Sequence, residues 1–210
     1  MIVVHGTSDV PAGARGGAFA IGNFDGVHRG HQALLRSATE QATALGAPAG
    51  VILFEPHPRE FFQPNKPHFR LTPLERKLEL LEQFGLDAAV VLRFDAALAG
   101  LPAQEFIERI VVDALAARHI VVGYDFHFGK AGGGDPETMR RPGEALGFGV
   151  TVVAQVGEAG EVFSSNAIRA ELAQGDVTGA AQMLGHWWRV SGKVIGGFKR
   201  GTGLGFPTAN

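Results

Sequence analysis

"GNFDGVHRGH", residues 22–31, separates the apolar run "GGAFAI" from the helix-period run "QALLRSATEQATALG". Its glycines and paired histidines exceed what a strand-to-helix turn requires. A helix N-terminus presents unpaired N–H groups and the positive end of a dipole, so it favours anions. Gly22 and Gly26 allow backbone to approach a ligand closely. His28 and His31 fall one turn apart on one helix face, so both rings can reach the same ligand. Imidazole donates to phosphate oxygens and offsets charge that builds up in a transition state. The stretch therefore reads as a phosphate-holding turn. A plain surface turn explains either histidine alone but not the set. Zinc is a weaker reading, because no third ligand lies at the usual spacing and the chain has no cysteine. Neither GxxxxGK[ST] nor GxGxxG is present.

Working outward, short apolar runs alternate with helix-period runs. Strands are expected at 18–24, 50–54, 88–94, 119–126 and 149–156, each nearly continuous in apolar residues, as in a parallel sheet buried on both faces. The first helix carries Leu34, Leu35, Ala38, Ala42 and Leu45 at helical spacing and can end at Gly46. "TPLE" opens the second, with Thr72 as N-cap and Glu75 closing a capping box, and the helix stops near Gly85. A third is expected over about 102–117. A fourth starts at Asp135-Pro136 and is disturbed by Pro142. The alternation implies a doubly wound α/β sheet, in which ligands bind beyond the carboxyl ends of strands.

The pattern changes near the end. "SSNAIRAELAQG" and "DVTGAAQMLG" read as two short helices, each stopped by glycine. "HWWRVSGKVIGGFKRGTGLGFPTAN" then follows, Gly-rich, β-like and without a further helix signal. A boundary near Gly185 divides a domain over 1–185 from a fragment over 186–210, too short to bury a core alone.

The 210 residues are 45% apolar with a formal net charge of −2. That supports a real core and argues against a general nucleic-acid or membrane-surface binder. No apolar run approaches the roughly 20 residues a bilayer requires. The N-terminus lacks the basic head and apolar stretch of a signal peptide. The absence of cysteine excludes disulfides and a thiol nucleophile and fits a cytoplasmic setting.

"GNFDGVHRGH" resembles the HxGH signature of the nucleotidyltransferase superfamily, with His28, Gly30 and His31 in the signature places. More closely, it is similar to the adenylyltransferase module of prokaryotic bifunctional riboflavin kinase/FAD synthetases. "FEPHPREFF" (54–62), "VVGYDFHFGKAGGGD", "FSSNAIR" and "GTGLGFPTAN" resemble further segments of that family, in its order along the chain. The resemblance implies a Rossmann-like parallel sheet followed by a β fragment of an incomplete barrel.

It also implies transfer of AMP from ATP to FMN with Mg²⁺, giving FAD and pyrophosphate. His28 and His31 would stabilise the phosphates and Arg169 the leaving pyrophosphate. Gly22, Asn23, Phe24, Asp25, Gly30, Asp125, Ser164, Ser165 and Asn166 would form the nucleotide side. Asp25 has three readings: Mg²⁺ contact, helix N-terminal acid or turn former. Ser164, Ser165 and Asn166 also read simply as the cap of a helix. Asn166 stands where the family usually has Thr. Pro56, His57, Pro58, Phe62, Tyr124, Phe126 and Phe128 would form the flavin side, although aromatics in such a strand also pack cores. Thr208 and Asn210 match the kinase motif "PTAN", which binds ATP and Mg²⁺ in that family. The rest of that barrel does not follow, so kinase activity is expected of a longer parent and not of this chain. The alternatives are a nucleotidyltransferase with another acceptor and a non-catalytic flavin- or nucleotide-binding module.

Overall fold

A computed structural model describes residues 1–158, 160–195 and 200–206. Six parallel strands form the central sheet: β1 (Ile2–His5), β2 (Ala18–Ile21), β3 (Ala49–Glu55), β4 (Ala88–Arg93), β5 (His119–Gly123) and β6 (Gly149–Val153). Their spatial order is β1-β4-β3-β2-β5-β6. The register sets Ala18 beside both Ala49 and His119. The chain therefore winds one way from β2 into β3 and returns to the other side of β2 with β5. The crevice at that reversal, beyond the carboxyl ends of β2 and β5, is where open α/β sheets take ligands.

Strand residues alternate between two cores. Phe19, Ile21, Ile52, Val90 and Ile120 face one side, with Phe106, Ile107, Ile110, Val111 and Leu115 packed on them. Ala18, Ala20, Val51, Leu53 and Val91 face the other, beneath Leu35, Ala38 and Ala42 of α1 (Arg29–Leu45). Both faces are covered, which is why these strands read as unbroken apolar runs. Gly50 has no room for a side chain, since a Cβ would lie 2.5 Å from the Phe19 ring.

α1 ends at Gly46 in the left-handed conformation, as its sequence predicts. Two short helices flank the next: α2 (Pro58–Phe62) before α3 (Leu74–Gln83), and α4 (Ala96–Ala99) after β4. The expected third helix is α5 (Ala103–Phe106) continuing as a wider π-helical stretch, Ile107–Ala114, closed by Leu115 N–H donating to Ile110 O at 3.1 Å. α6 (Pro136–Leu146) starts under the Asp135 cap and passes through Pro142 unbroken, against the expected disturbance. That proline costs one carbonyl its partner, which an 11-residue surface helix tolerates. A two-stranded antiparallel hairpin, β7 (Gly157–Glu158) and β8 (Glu161–Val162), precedes α7 (Ser165–Gln174) and α8 (Val177–Leu184). Both of these helices end in left-handed glycines, Gly175 and Gly185. They enclose a satellite cluster of Leu71, Ile168, Ala180, Met183 and Leu184.

Three sequence expectations need correction, and one strand lies outside them. β1 was not foreseen: it is an edge strand with only Val4 buried, so it lacks the core-strand signature. β2, β5 and β6 stop at Ile21, Gly123 and Val153, because the chain turns there toward the crevice. Thr72 does not cap α3; its hydroxyl is held by residues 25 and 26, and Pro73 occupies the cap position without a side-chain bond. The tail contains one helical turn, α9 (Arg200–Gly203), and no strand among its described residues. Leu204 and Phe206 N–H groups both donate to Gly201 O, and Gly205 (φ 80°) lets the chain fold back to do so. Among the described residues no helix is long and apolar enough to cross a membrane.

Candidate active site

The loop after β2 is held in an unusual backbone state. Phe24 (φ 48°), Gly26 (φ 89°) and Val27 (φ 44°) are all left-handed, which a β-branched residue rarely accepts. The surroundings hold the loop there. The Asp25 carboxylate accepts from the backbone N–H of Leu71 and Thr72, each at 3.0 Å, and pairs with the Arg169 guanidinium. Gly26 N–H donates to Thr72 Oγ1 at 2.9 Å, and the Gln32 amide donates to Val27 O at 2.9 Å. Asp25 is thus a buried brace between distant segments, which none of its three sequence readings covers. Gly26 is buried beneath Leu71 and Leu184, so its glycine serves the turn and its packing, not close approach to a ligand.

His28 caps α1, and its Nδ1 accepts from His31 N–H at 3.3 Å. The His28 ring proton therefore sits on Nε2. The two rings stack with centroids 3.6 Å apart, and Phe24 lies against His31 at 5.1 Å. Burial pushes His28 down to about 4, with Asp25 opposing and Arg169 adding to the drop. Burial, then the His28 and Lys77 charges, holds His31 well below the ordinary imidazole range. Both rings are neutral at pH 7 without a ligand. Asn23 Oδ1 and His31 Nδ1 are buried with no hydrogen-bond partner. Such orphaned groups carry a cost that folding alone does not explain.

A cavity of about 720 Å³ opens above this loop, within the range of small-molecule sites. Gly22, Asn23, His28, Gly30 and His31 line its floor. Ser164, Ser165, Asn166 and Arg169 line one wall. Ser164 does cap α7, accepting from Ala167 N–H at 3.1 Å, and Ser165 Oγ donates to Asp25 O at 2.8 Å. Arg169 donates to Phe69 O and to Asn166 Oδ1, and contacts His68 Nε2 at 3.3 Å. Burial lowers its pKa, and Asp25 works against that drop.

Two aromatic patches form the remaining walls. Phe54, Phe62 and Phe94 meet edge to face on one side, with Phe61 behind them. Phe126 stacks on Phe128 at 5.5 Å on the other, and Phe128 rests on Phe106. Phe128 is buried in the core while Tyr124 is half exposed at the cavity edge. The three aromatics do not alternate along a strand: Phe126 N–H donates back to Gly123 O, making a turn. Asp125, His57 and Pro58 also border the cavity; Phe24, Asp25 and Pro56 do not. His57 caps α2 through Nδ1 and lies 4.5 Å from His68; burial pushes it down to about 4, with the His68 charge adding. Thr208 and Asn210 lie outside the described residues.

Several contributors carried no signal in the sequence. His68 and Phe94 come from segments that read as loop or strand end. Lys77 is buried beneath the site, with burial depressing its pKa against the Asp25 and Glu55 charges. Arg70 joins Glu55 to Glu60 and pins the 69–72 segment to the sheet. These residues are recognisable only once the topology brings them together.

The FAD synthetase family model matches residues 11–167, the span that contains β2, β5 and most of the cavity wall. The chain belongs to the FAD synthetase family. The riboflavin kinase model matches residues 184–210 of this FAD synthetase-family chain. The bifunctional riboflavin kinase/FMN adenylyltransferase of Escherichia coli strain K12 is 41% identical over 207 residues, covering 99% of this chain and 66% of that protein. The protein of the same name from Pseudomonas fluorescens is 42% identical over 210 residues, covering 100% and 67%. The family chain described here therefore spans just under two thirds of the Escherichia coli relative. A crystal structure described as a macrolide-efflux protein from Streptococcus pneumoniae superposes with a TM-score of 0.86 at 28% identity, covering 100% of this chain and 68% of that one.

Proposed function

We propose that this chain is an FMN adenylyltransferase, joining the AMP of ATP to the FMN phosphate. An FMN phosphate oxygen attacks the α-phosphorus of ATP, the bond to the β-phosphate oxygen breaks, and pyrophosphate leaves. An ionised phosphate needs no general base, so the residues supply position and charge stabilisation. The observation that carries this reading is the stacked His28–His31 pair on the cavity floor, with Ser164, Asn166 and Arg169 lining the same cavity. His28 Nε2–H is free to donate to a phosphate oxygen, and phosphate charge favours protonation of both rings as it accumulates. The Phe62, Phe94, Phe126 and Phe128 rings that line the cavity supply flat apolar surface for the isoalloxazine ring.

Mg²⁺ offsets phosphate charge when bound. The described residues hold no cluster of three acidic or imidazole side chains that could cage it, and the Asp25 carboxylate is committed elsewhere. A magnesium ion would instead travel on the ATP phosphates, as that ion commonly does, with the unpartnered Asn23 Oδ1 as the nearby protein oxygen. The division at Gly185 is supported by the helix stop there and by the riboflavin kinase match that begins at 184. The cysteine-free composition suits a cytoplasmic setting.

The test is incubation of the chain with FMN, ATP and Mg²⁺, followed by chromatography for FAD and an assay for pyrophosphate. Both products are expected. His31→Ala should lower kcat by about 10²–10³-fold with little change in FMN affinity, because its contact strengthens as charge develops. Tight binding of FMN and ATP without pyrophosphate release would make the chain a binding module instead.

A further inference from the structure

Among the described residues, one fastening of the strained loop comes from beyond the boundary at Gly185. His186 Nε2 lies 3.0 Å from Gly26 O and its Nδ1 lies 3.2 Å from Trp187 O; carbonyls only accept, and the shorter contact assigns the ring N–H to Nε2. Gly26 is thereby held through both of its backbone groups, its N–H by Thr72 and its carbonyl by His186. Neighbouring contacts reinforce the grip. The Gln32 amide spans Val27 O at 2.9 Å and Leu184 O at 2.7 Å, tying the loop to the end of α8. Trp188 Nε1–H donates to Leu71 O at 3.0 Å, and Leu71 N–H is one of the donors to Asp25. Left-handed Phe24 and Val27 persist only where surrounding bonds over-determine them.

We propose that His186 is a positioning residue for adenylyl transfer: by holding the Gly26 carbonyl it fixes the loop that presents Asn23, His28 and His31 to the cavity. His186 belongs to the stretch matched by the riboflavin kinase family, so residues of that stretch brace the loop from behind the cavity floor. This inference rests on the adenylyltransferase reading for its kinetic consequence and on geometry alone for its structural one.

Three variants of the same chain separate these. His186→Phe keeps the ring and removes the donor. His186→Gln places an amide N–H near the position of Nε2. His186→Asn is shorter and does not reach. Hydrogen exchange of the loop amides at 24–28, measured without substrates, should quicken about tenfold in the Phe and Asn variants and return to the wild-type rate in the Gln variant. With FMN and ATP, kcat should fall about tenfold in the Phe and Asn variants, with the KM for FMN unchanged, and recover with Gln. If His186→Phe does not fold, the Gln and Asn pair decides alone. Wild-type exchange and kcat in the Phe and Asn variants overturns the proposal. Absence of FAD from the wild-type chain overturns the adenylyltransferase reading instead and leaves the exchange measurement to judge the loop.

Discussion

Gly30 has no side chain because His28 already fills the space. A Cβ there would lie 3.0 Å from the His28 ring and 3.1 Å from Phe163 O. The glycine of the HxGH signature thus protects the placement of the first histidine, which sequence spacing alone does not reveal. The histidine pair itself was legible, since residues three apart at a helix start must share a face. The direction of the His28 proton was not, because it depends on which backbone N–H its Nδ1 accepts from. Neutral, buried imidazoles make stability depend on pH. His28 and His57 sit near 4 when folded against 6.5 when free. The unfolded chain therefore takes up protons below about 6.5 that the folded chain refuses. Their contribution is complete above that pH and is lost as pH falls toward 4, with His28 accounting for up to about 3 kcal/mol. The thermal midpoint should drop across that window, and His57→Phe should flatten part of the drop; a flat profile in the wild type would show that the rings are not held neutral.

Among elements, the decisive joint is Asp25 between the β2–α1 loop, the 71–72 segment and α7. Its side chain is 3% exposed and its partner Arg169 is 16% exposed. Removing one member of such a pair leaves an uncompensated charge. Asp25→Asn should lower the unfolding free energy by about 3–5 kcal/mol in urea titration and speed hydrogen exchange at Leu71 and Thr72. Unchanged values would mean that the arginine finds an equal partner elsewhere. "TPLE" shows why this joint was hidden. Thr72 matches a helix-capping pattern, and only the long-range demands of Gly26 and Asp25 draw its hydroxyl away. Elements with strong local signals, such as α1 with its Gly46 stop, were readable. β1 was not, because an edge strand buries too little to leave a mark.

At the scale of the molecule, alternate strand residues feed two cores through one sheet. Phe19 is fully buried in the first, and Gly50 is a glycine because that ring needs its space. Phe19→Ala should cost about 3–5 kcal/mol in chemical denaturation, and a loss under 1 kcal/mol would mean the sheet collapses readily around the void. The doubly wound class was legible from run lengths and alternation. The ordering of strands was not, since it is set by which faces the helices must cover. That ordering has a consequence for biosynthesis. Ala18 completes its pairing with His119, far along the chain. While the intervening residues are still leaving the ribosome, β2 carries the histidine loop on a strand with one bare edge, open to misplaced pairing with other nascent chains. The cavity gains its Phe126–Phe128 wall only after that, and its Ser164–Arg169 wall later still.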